Sequence, residues 1–381
     1  MYADLLFYQE EAMIYFDSAA TTLQKPPEVS AAVARAINTM TTPGRGDHYA
    51  ARQAADVMLR LRKAAAAYFD APDPERVILT GNATHGLNIA IKSLVSKGGN
   101  AVISGYEHNA VTRPLHAIGA VSVTIVNGEL FRPDQMAEGF EKAVNEKTEA
   151  VICTHMSNVF GYELPVDDIA EICRRKGVPL IVDASQSAGI LPVSLSRWKA
   201  AYVAMPGHKG LYGPQGTGLL LCGEGRLPDT VLEGGTGSLS RFQDMPDFLP
   251  DRLEAGTQNV HGAAGLLAGI QFVSKFRPGE ISSHEKKLMS ALAGGVKEMG
   301  GYRVYDGNGT VLSIVPEKQS SEALADDLAE REIAVRAGYH CAPIAHITAG
   351  TAETGTVRFS ASAFNKMSEV DHVLNVLKRK K

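Results

Sequence analysis

The sequence lacks the features that define several large classes of protein. Acidic residues slightly outnumber basic ones, 42 to 38, and the net charge of -4 argues against a surface that binds nucleic acid. No apolar run approaches the roughly 18 residues that a membrane span needs. The first residues, Met1 to Glu11, lack the basic and apolar stretches of a secretory signal. We therefore expect a cytoplasmic protein that binds neither nucleic acid nor membranes.

Cysteine is scarce and scattered. The chain has four cysteines and no CxxC pair, which disfavours a disulfide framework and a zinc site and leads us to expect no bound metal. Three of them lie in apolar strand or helical patterns and are expected to be buried, namely Cys153, Cys173 and Cys222.

Cys341 differs from the other three cysteines. It stands in a loop pattern, Tyr339-His-Cys-Ala-Pro343, with His340 beside it and Arg336 nearby. Cationic neighbours and partial exposure favour the thiolate, which is the reactive form. Cys341 is therefore the candidate nucleophile.

Short β-branched runs alternate with longer helical patterns through the middle of the chain. The runs cover residues 76–80, 101–104, 121–126, 150–154, 179–183, 201–204 and 218–222. Most are apolar throughout, which is typical of parallel strands covered by helices on both faces. We predict an α/β fold with a mainly parallel seven-stranded sheet.

The pattern changes after residue 222. A loop rich in glycine and proline leads to helical patterns at 261–275 and 282–299 and to strand patterns at 311–315 and 356–360. Chains above about 250 residues usually divide into domains. We predict a large domain at 15–255 and a smaller α+β domain at 256–381 that also takes in residues 1–14.

Polar residues follow the predicted strands, where ligands bind in open α/β sheets. The polar groups are Asn82-Ala-Thr-His-Gly86, Glu107-His-Asn109, Ser157-Asn158, Asp183-Ala-Ser-Gln186 and Gly207-His-Lys209. The first group opens a helix, so it suits either an anion site or an ordinary helix cap.

Asp183 and Lys209 carry the clearest chemistry. Asp183 ends an apolar run, where a carboxylate needs a partner. This position suits a helix cap, a structural ion pair or a contact with the pyridine nitrogen of pyridoxal 5'-phosphate (PLP). Lys209 lies among five glycines in residues 205–218, which allow a ligand to approach the backbone closely. A desolvated lysine has a lowered pKa that suits imine formation with an aldehyde.

Several motifs together resemble one family. They are Tyr15-Phe-Asp-Ser-Ala-Ala-Thr-Thr22, Arg45-Gly-Asp-His48, Glu107-His108, Thr154-His-Met-Ser-Asn158, Val182-Asp-Ala-Ser-Gln186, Gly207-His-Lys209, Glu254-Ala-Gly-Thr-Gln-Asn259 and Arg336-Ala-Gly-Tyr-His-Cys-Ala342. The chain resembles the class V aminotransferase group of PLP enzymes with the type I fold. Within that group it is similar to the branch of cysteine desulfurases and selenocysteine lyases, in the short-loop form called group II.

The resemblance implies a role for each matching residue. Lys209 would hold PLP as a Schiff base, Asp183 would pair with its pyridine nitrogen, and His108 would stack on the ring and carry protons. The remaining cofactor contacts would come from Ala83, Thr84, Asn158, Gln186, His208 and Thr257. Of these, Thr257 would reach the cofactor phosphate of the other subunit in a homodimer. Arg358 would grip the substrate carboxylate, with Asn158 close by.

The reaction implied by the resemblance converts L-cysteine to L-alanine. Cys341 would take the sulfur as a persulfide and deliver it to an acceptor protein. L-selenocysteine is an alternative substrate, and another PLP-dependent C–S lyase or an aminotransferase is an alternative enzyme. The alternative outside enzymology is a noncatalytic sulfur-relay scaffold. Pro206 departs from the family, which usually has a phosphate-binding serine there, and the segment 236–252 is short.

Overall fold

The structure is a computed structural model that describes residues 13–44, 46–225 and 227–378. Its strands are β1 Ile14–Tyr15, β2 Val77–Thr80, β3 Asn100–Ser104, β4 Ser122–Val126, β5 Ala150–Thr154, β6 Leu180–Asp183, β7 Tyr202–Pro206, β8 Gly218–Cys222, β9 Tyr302–Tyr305, β10 Val311–Pro316, β11 Ile333–Ala334, β12 Arg336–Gly338 and β13 Thr356–Ser360. Its helices are α1 Pro27–Thr39, α2 Tyr49–Tyr68, α3 Ala83–Leu94, α4 Asn109–Ile118, α5 Pro133–Ala143, α6 Val166–Lys176, α7 Leu195–Trp198, α8 Val260–Val273, α9 Glu280–Met299, α10 Ser321–Ala329, α11 Pro343–Thr348 and α12 Met367–Lys378.

The large sheet confirms the predicted seven strands. Their order is β2-β8-β7-β6-β5-β3-β4, and β3 to β7 pair in parallel. β8 alone runs antiparallel to both of its neighbours, β2 and β7. The sheet is therefore mainly parallel, as expected.

Helices cover both faces of this sheet, which explains why its strands are apolar throughout. In β5, Val151 and Cys153 pack into one hydrophobic cluster, and Ile152 packs into the cluster on the opposite face. Successive side chains of a strand point to opposite faces, so only a strand buried on both sides keeps an unbroken apolar run. The prediction of helices on both faces is confirmed.

The C-terminal part forms a second sheet. β12, β13, β10 and β9 pair antiparallel, and β1 pairs in parallel with β11. Helices α9, α10 and α12 pack with this sheet around a third hydrophobic cluster.

Two segments pack across the predicted domain boundary. Helix α8 packs on α1 and α2, and Leu266 and Ile270 join a core cluster of the large sheet. Phe16 instead joins the cluster of the second sheet. The boundary between residues 255 and 256 stays a prediction, and residues 1–12 of the predicted smaller domain lie outside the described residues.

The described residues include no helix that is both long and apolar enough to cross a membrane. The same part of the chain holds no group of three or more His, Cys, Asp or Glu side chains arranged to bind a metal ion.

Candidate active site

A cleft opens where the parallel strands of the large sheet end. Its lining residues come from the segments that follow β2, β3, β5, β6 and β7, and they are Asn82, Ala83, Thr84, His108, Ala110, Thr154, Met156, Asn158, Asp183, Ser185, Gln186, Pro206, His208 and Lys209. The structure thus brings together every residue predicted to contact the cofactor except Thr257. Parallel topology explains this, because the carboxyl ends of the strands meet at one edge.

Lys209 lies in a tight turn after β7. Gly207 donates its N–H to Thr217 O at 2.8 Å, and a Cβ at Gly207 would lie 2.1 Å from Thr217 Oγ1, so glycine is required for this approach. Burial lowers the pKa of Lys209 to about 8, assisted by Arg358 and opposed by Asp183. Among the described residues, none accepts a hydrogen bond from Lys209 Nζ or forms an ion pair with it, so the amine is available to a ligand.

Asp183 is the last residue of β6 and is buried. Its Oδ1 accepts a hydrogen bond from the Ser185 N–H at 2.9 Å. The carboxylate lines the same cleft as Lys209, which matches the predicted need for a cationic partner at this strand end.

His108 caps the N-terminus of α4. Its Nδ1 accepts the Ala110 N–H at 3.0 Å, so the neutral ring carries its proton on Nε2. Burial lowers the pKa of His108, the positive charge of Lys209 lowers it further, and Asp183 opposes both effects. His108 therefore offers an N–H donor to the cleft.

Glu107 is a buried residue to which the sequence motifs assigned no role. Its Oε1 accepts hydrogen bonds from the Ser104 hydroxyl and, at 2.7 Å, from the Thr154 N–H. Burial raises the pKa of Glu107 to about 8. By joining the ends of β3 and β5, Glu107 fixes the turn that carries His108. An acidic residue just after an apolar run was the available signal, as for Asp183.

The start of α3 forms another wall of the cleft. Asn82 Oδ1 accepts the His85 N–H at 2.9 Å, and Ala83 and Thr84 are the first residues of the helix. A helix N-terminus carries a partial positive charge and free N–H groups, which suit a phosphate.

His208 and Gln186 reach the cleft but have protein partners. His208 Nδ1 lies 3.1 Å from Thr21 Oγ1, and burial lowers the pKa of His208 to about 4, so its ring is neutral. Gln186 Nε2 donates to Ala19 O at 3.0 Å. In each residue one polar side-chain atom remains for a ligand, namely Nε2 of His208 and Oε1 of Gln186.

These residues fit PLP. Lys209 supplies an unpartnered amine for the aldehyde carbon, and the buried Asp183 supplies a carboxylate for the pyridine nitrogen. The start of α3 suits the phosphate, and the His108 imidazole lines the same cleft.

Arg358 lies on β13 and is 2% exposed. Its Nη2 is 2.6 Å from Asp17 Oδ1, and its Nη1 donates to Asn158 O at 2.9 Å. Asp17 also lies 3.4 Å from Arg336 Nε. The Asp17 carboxylate, to which the motifs gave no role, therefore compensates the buried charge of Arg358. Asn158 connects this arginine to the cleft.

Cys341 is exposed, whereas Cys153, Cys173 and Cys222 are buried, as predicted. Asn109 donates its N–H to Cys341 O at 2.8 Å, so the cysteine loop lies against the turn that carries His108. This contact places Cys341 beside the cleft.

The structure corrects one of the two cationic neighbours expected for Cys341, namely His340. His340 is buried, and burial lowers its pKa to about 2, so the imidazole is neutral. Its Nε2 lies 3.2 Å from Thr356 O and 3.1 Å from Thr356 Oγ1. His340 therefore anchors the loop and supplies no positive charge to the thiol.

Thr257 does not line the cleft. It is exposed and borders a separate cavity with His85, Thr217 and Glu254. Within one chain, Thr257 therefore lies apart from the residues of the cofactor cleft. The contact of Thr257 with the cofactor of a second subunit stays a prediction.

The model of the family Aminotransferase class-V matches residues 14–373, so the chain belongs to this family of PLP enzymes, and its cofactor is PLP. A protein of Pyrococcus abyssi named "Probable cysteine desulfurase" is 30% identical over 96% of this chain and 94% of its own length. A protein of the same name from Methanothermobacter thermautotrophicus is 31% identical over 94% of this chain and 92% of its own. The apo structure of a cysteine desulfurase from Thermococcus onnurineus superposes with a TM-score of 0.88 at 28% identity, covering 97% of this chain and 94% of the other.

Proposed function

We propose that this enzyme is a cysteine desulfurase that converts L-cysteine to L-alanine and takes the sulfur on Cys341. One observation carries the proposal: Cys341 is exposed and is tied by its own carbonyl to Asn109, directly after His108 of the cofactor cleft. The names of the relatives at 30% and 31% identity support the same activity.

The reaction balances with Cys341 as the sulfur acceptor. The Cys341 thiolate attacks the sulfur of the bound cysteine, a sulfur–sulfur bond forms, and the substrate's carbon–sulfur bond breaks. The electron pair of that bond stays with the β-carbon, which gains a proton, so the products are L-alanine and a Cys341 persulfide. Reduction or transfer of the persulfide restores the thiol.

The cofactor, once bound, supplies an electron-withdrawing ring that accepts the electron pair of the substrate's Cα–H bond. With a pKa near 8, Lys209 Nζ can take a proton from Cα and return it near neutral pH. His108 Nε2–H can donate a second proton within the cleft. The family resemblance assigns the substrate carboxylate to the buried guanidinium of Arg358, which is held by Asp17 and the Asn158 carbonyl.

Further parts of the function rest on the family resemblance. The enzyme is expected to act as a homodimer in the cytoplasm, with Thr257 contributing to the phosphate site of the second subunit, and to pass sulfur to an acceptor protein. A gel-filtration mass equal to one chain of 40.7 kDa would contradict the homodimer.

The direct test measures alanine released from L-cysteine in the presence of a thiol reductant. Native enzyme, Cys341→Ala and Cys173→Ala are compared after loading with PLP, and Cys173→Ala is the matched control because its thiol is buried. Alanine release should persist in the control and vanish in Cys341→Ala.

Two outcomes would contradict the proposal. Equal alanine from native enzyme and Cys341→Ala would remove Cys341 as the sulfur acceptor, and no alanine from the native enzyme would point to another PLP reaction. The same assay with L-selenocysteine measures the preference between sulfur and selenium.

A further inference from the structure

The cysteine loop contains two successive residues in the left-handed region of backbone conformation. The φ angle is 49° at His340 and 56° at Cys341. Residues other than glycine adopt this region rarely, and such conformations persist only where surrounding contacts enforce them. The contacts around this pair therefore determine where Cys341 stands.

On one side, the loop is anchored to the second sheet. The buried imidazole of His340 contacts Thr356 on β13, and its ring stacks at a centroid distance of 5.9 Å on that of His346. These contacts fix the side chain of His340, but they do not hold the carbonyl groups of the strained pair.

On the other side, the two carbonyl groups are held by the large sheet. Asn158 Nδ2 donates to His340 O at 2.8 Å, and the Asn109 N–H donates to Cys341 O at 2.8 Å. Both donors follow strands of the large sheet, β5 and β3. The Asn158 amide is therefore the side-chain group that joins the cofactor cleft to the strained pair.

Asn158 is also held at its own backbone. Its carbonyl accepts a hydrogen bond from Arg358 Nη1 at 2.9 Å, and Arg358 is fixed by Asp17. The backbone that carries the Asn158 amide is thus held by the buried arginine that is expected to bind the substrate carboxylate. Asn158 therefore contacts both the arginine that is expected to bind the substrate carboxylate and the loop that carries Cys341.

We propose that Asn158 is a positioning residue for Cys341: its amide holds the His340 carbonyl and so keeps the left-handed pair docked beside the cleft. The consequence for sulfur transfer rests on the proposed function, whereas the docking role does not. This assignment goes beyond the expected contact of Asn158 with the cofactor, because the His340 carbonyl takes one of the two amide protons of Asn158.

Hydrogen exchange at the Asn109 amide tests the docking role in the full chain loaded with PLP. This N–H bonds to Cys341 O, so its protection reports whether the loop is docked. Asn158→Ala should raise the exchange rate about fivefold, the effect of losing one hydrogen bond. Asn38→Ala is the matched control, because it also removes a side-chain amide bonded to a backbone carbonyl, on the exposed face of α1. Exchange at Asn109 should not change in this control.

A second variant covers the case in which Asn158→Ala does not fold. Asn158→Asp keeps the size of the side chain and removes both amide protons, so it should give at least the same rise, because a carboxylate and the His340 carbonyl are both acceptors. Exchange at Asn109 equal to that of the native enzyme, in whichever of these variants folds, would overturn the proposal.

Activity provides a separate readout. In Asn158→Ala, the rate of alanine formation should fall, because the loop that carries Cys341 is displaced. The KM for L-cysteine and the visible absorbance of bound PLP should stay unchanged, because the cofactor is not displaced. A raised KM or a lost absorbance band would assign Asn158 to substrate or cofactor binding instead. If the native enzyme releases no alanine, the proposed function fails, and the exchange result still decides the docking role.

Discussion

A buried acid behind the active site gives a sharp test of the electrostatics. Glu285 on α9 is 1% exposed, and its carboxylate oxygen Oε2 has no hydrogen-bond partner among the described residues. It lines a small cavity with Lys209 and Tyr212. Burial raises the pKa of Glu285 well above its ordinary value of 4.5. The folded protein therefore keeps a proton on Glu285 at pH values at which the unfolded chain has lost it.

The size of the effect follows from proton linkage. Because the folded-state pKa is raised, the stability associated with this proton is complete below the unfolded pKa and is lost as pH rises toward the folded pKa. Over that interval the native protein should lose about 1.4 kcal/mol of unfolding free energy per pH unit relative to Glu285→Gln. Unfolding a chain of this length carries an entropy of about 0.8 kcal/mol per kelvin, so the difference in Tm should change by about 2 °C per pH unit.

Thermal unfolding measured from about pH 5 to about pH 9 tests this expectation. The Tm of Glu285→Gln should gain on that of the native protein as pH rises. Glu146→Gln, at an exposed position, should track the native protein at every pH. If the Tm values of Glu285→Gln and of the native protein change in parallel with pH, the reasoning is refuted. If the native protein instead gains stability relative to Glu285→Gln as pH rises, a cation compensates the Glu285 carboxylate.

Three further predictions concern the site and its surroundings. In cofactor-free protein, the rate of reductive methylation of Lys209, followed by mass spectrometry, should rise with a midpoint at about pH 8. Asp183→Asn should lower this midpoint, because it removes the negative charge that raises the pKa of Lys209. An unchanged midpoint in Asp183→Asn would contradict this prediction. Arg62 and Glu254 form a buried ion pair at 2.6 Å. Arg62→Met should therefore lower the free energy of unfolding, measured by chemical denaturation, by about 3–5 kcal/mol. A decrease below about 1 kcal/mol would show that the buried Glu254 carboxylate does not need its partner. Pro206→Ser should tighten PLP binding about tenfold in an absorbance titration by adding donors for the phosphate, and weaker binding would rule out a phosphate contact there.

The fold could be predicted because its strands are locally distinctive. A run such as Ala150–Thr154 is buried on both faces, so its hydrophobicity is unbroken and is visible in the sequence. Strand direction is less visible, since β8 runs antiparallel although its sequence resembles that of the parallel strands. Nothing in a short apolar run encodes its direction, which depends on the connection and on the neighbouring strands.

The candidate site was predictable in part, for a similar reason. Asp183 and Lys209 stand directly after strands, and the topology of a parallel sheet brings such residues to one edge. The charge state of His340 could not be predicted from its place beside Cys341. It depends on burial against Thr356, which lies in another strand.

The sequence by itself determined the strands of the large sheet, the polar residues that follow them and the motif that carries Cys341, because each depends on neighbouring residues along the chain. Only the tertiary structure decided which groups compensate one another: Asp17 with Arg358 across 341 positions, and Asn158 with the His340 carbonyl across 182. Such pairings depend on which distant segments the fold brings together, and the free energy of a buried charge or a strained turn is set by the atoms that surround it.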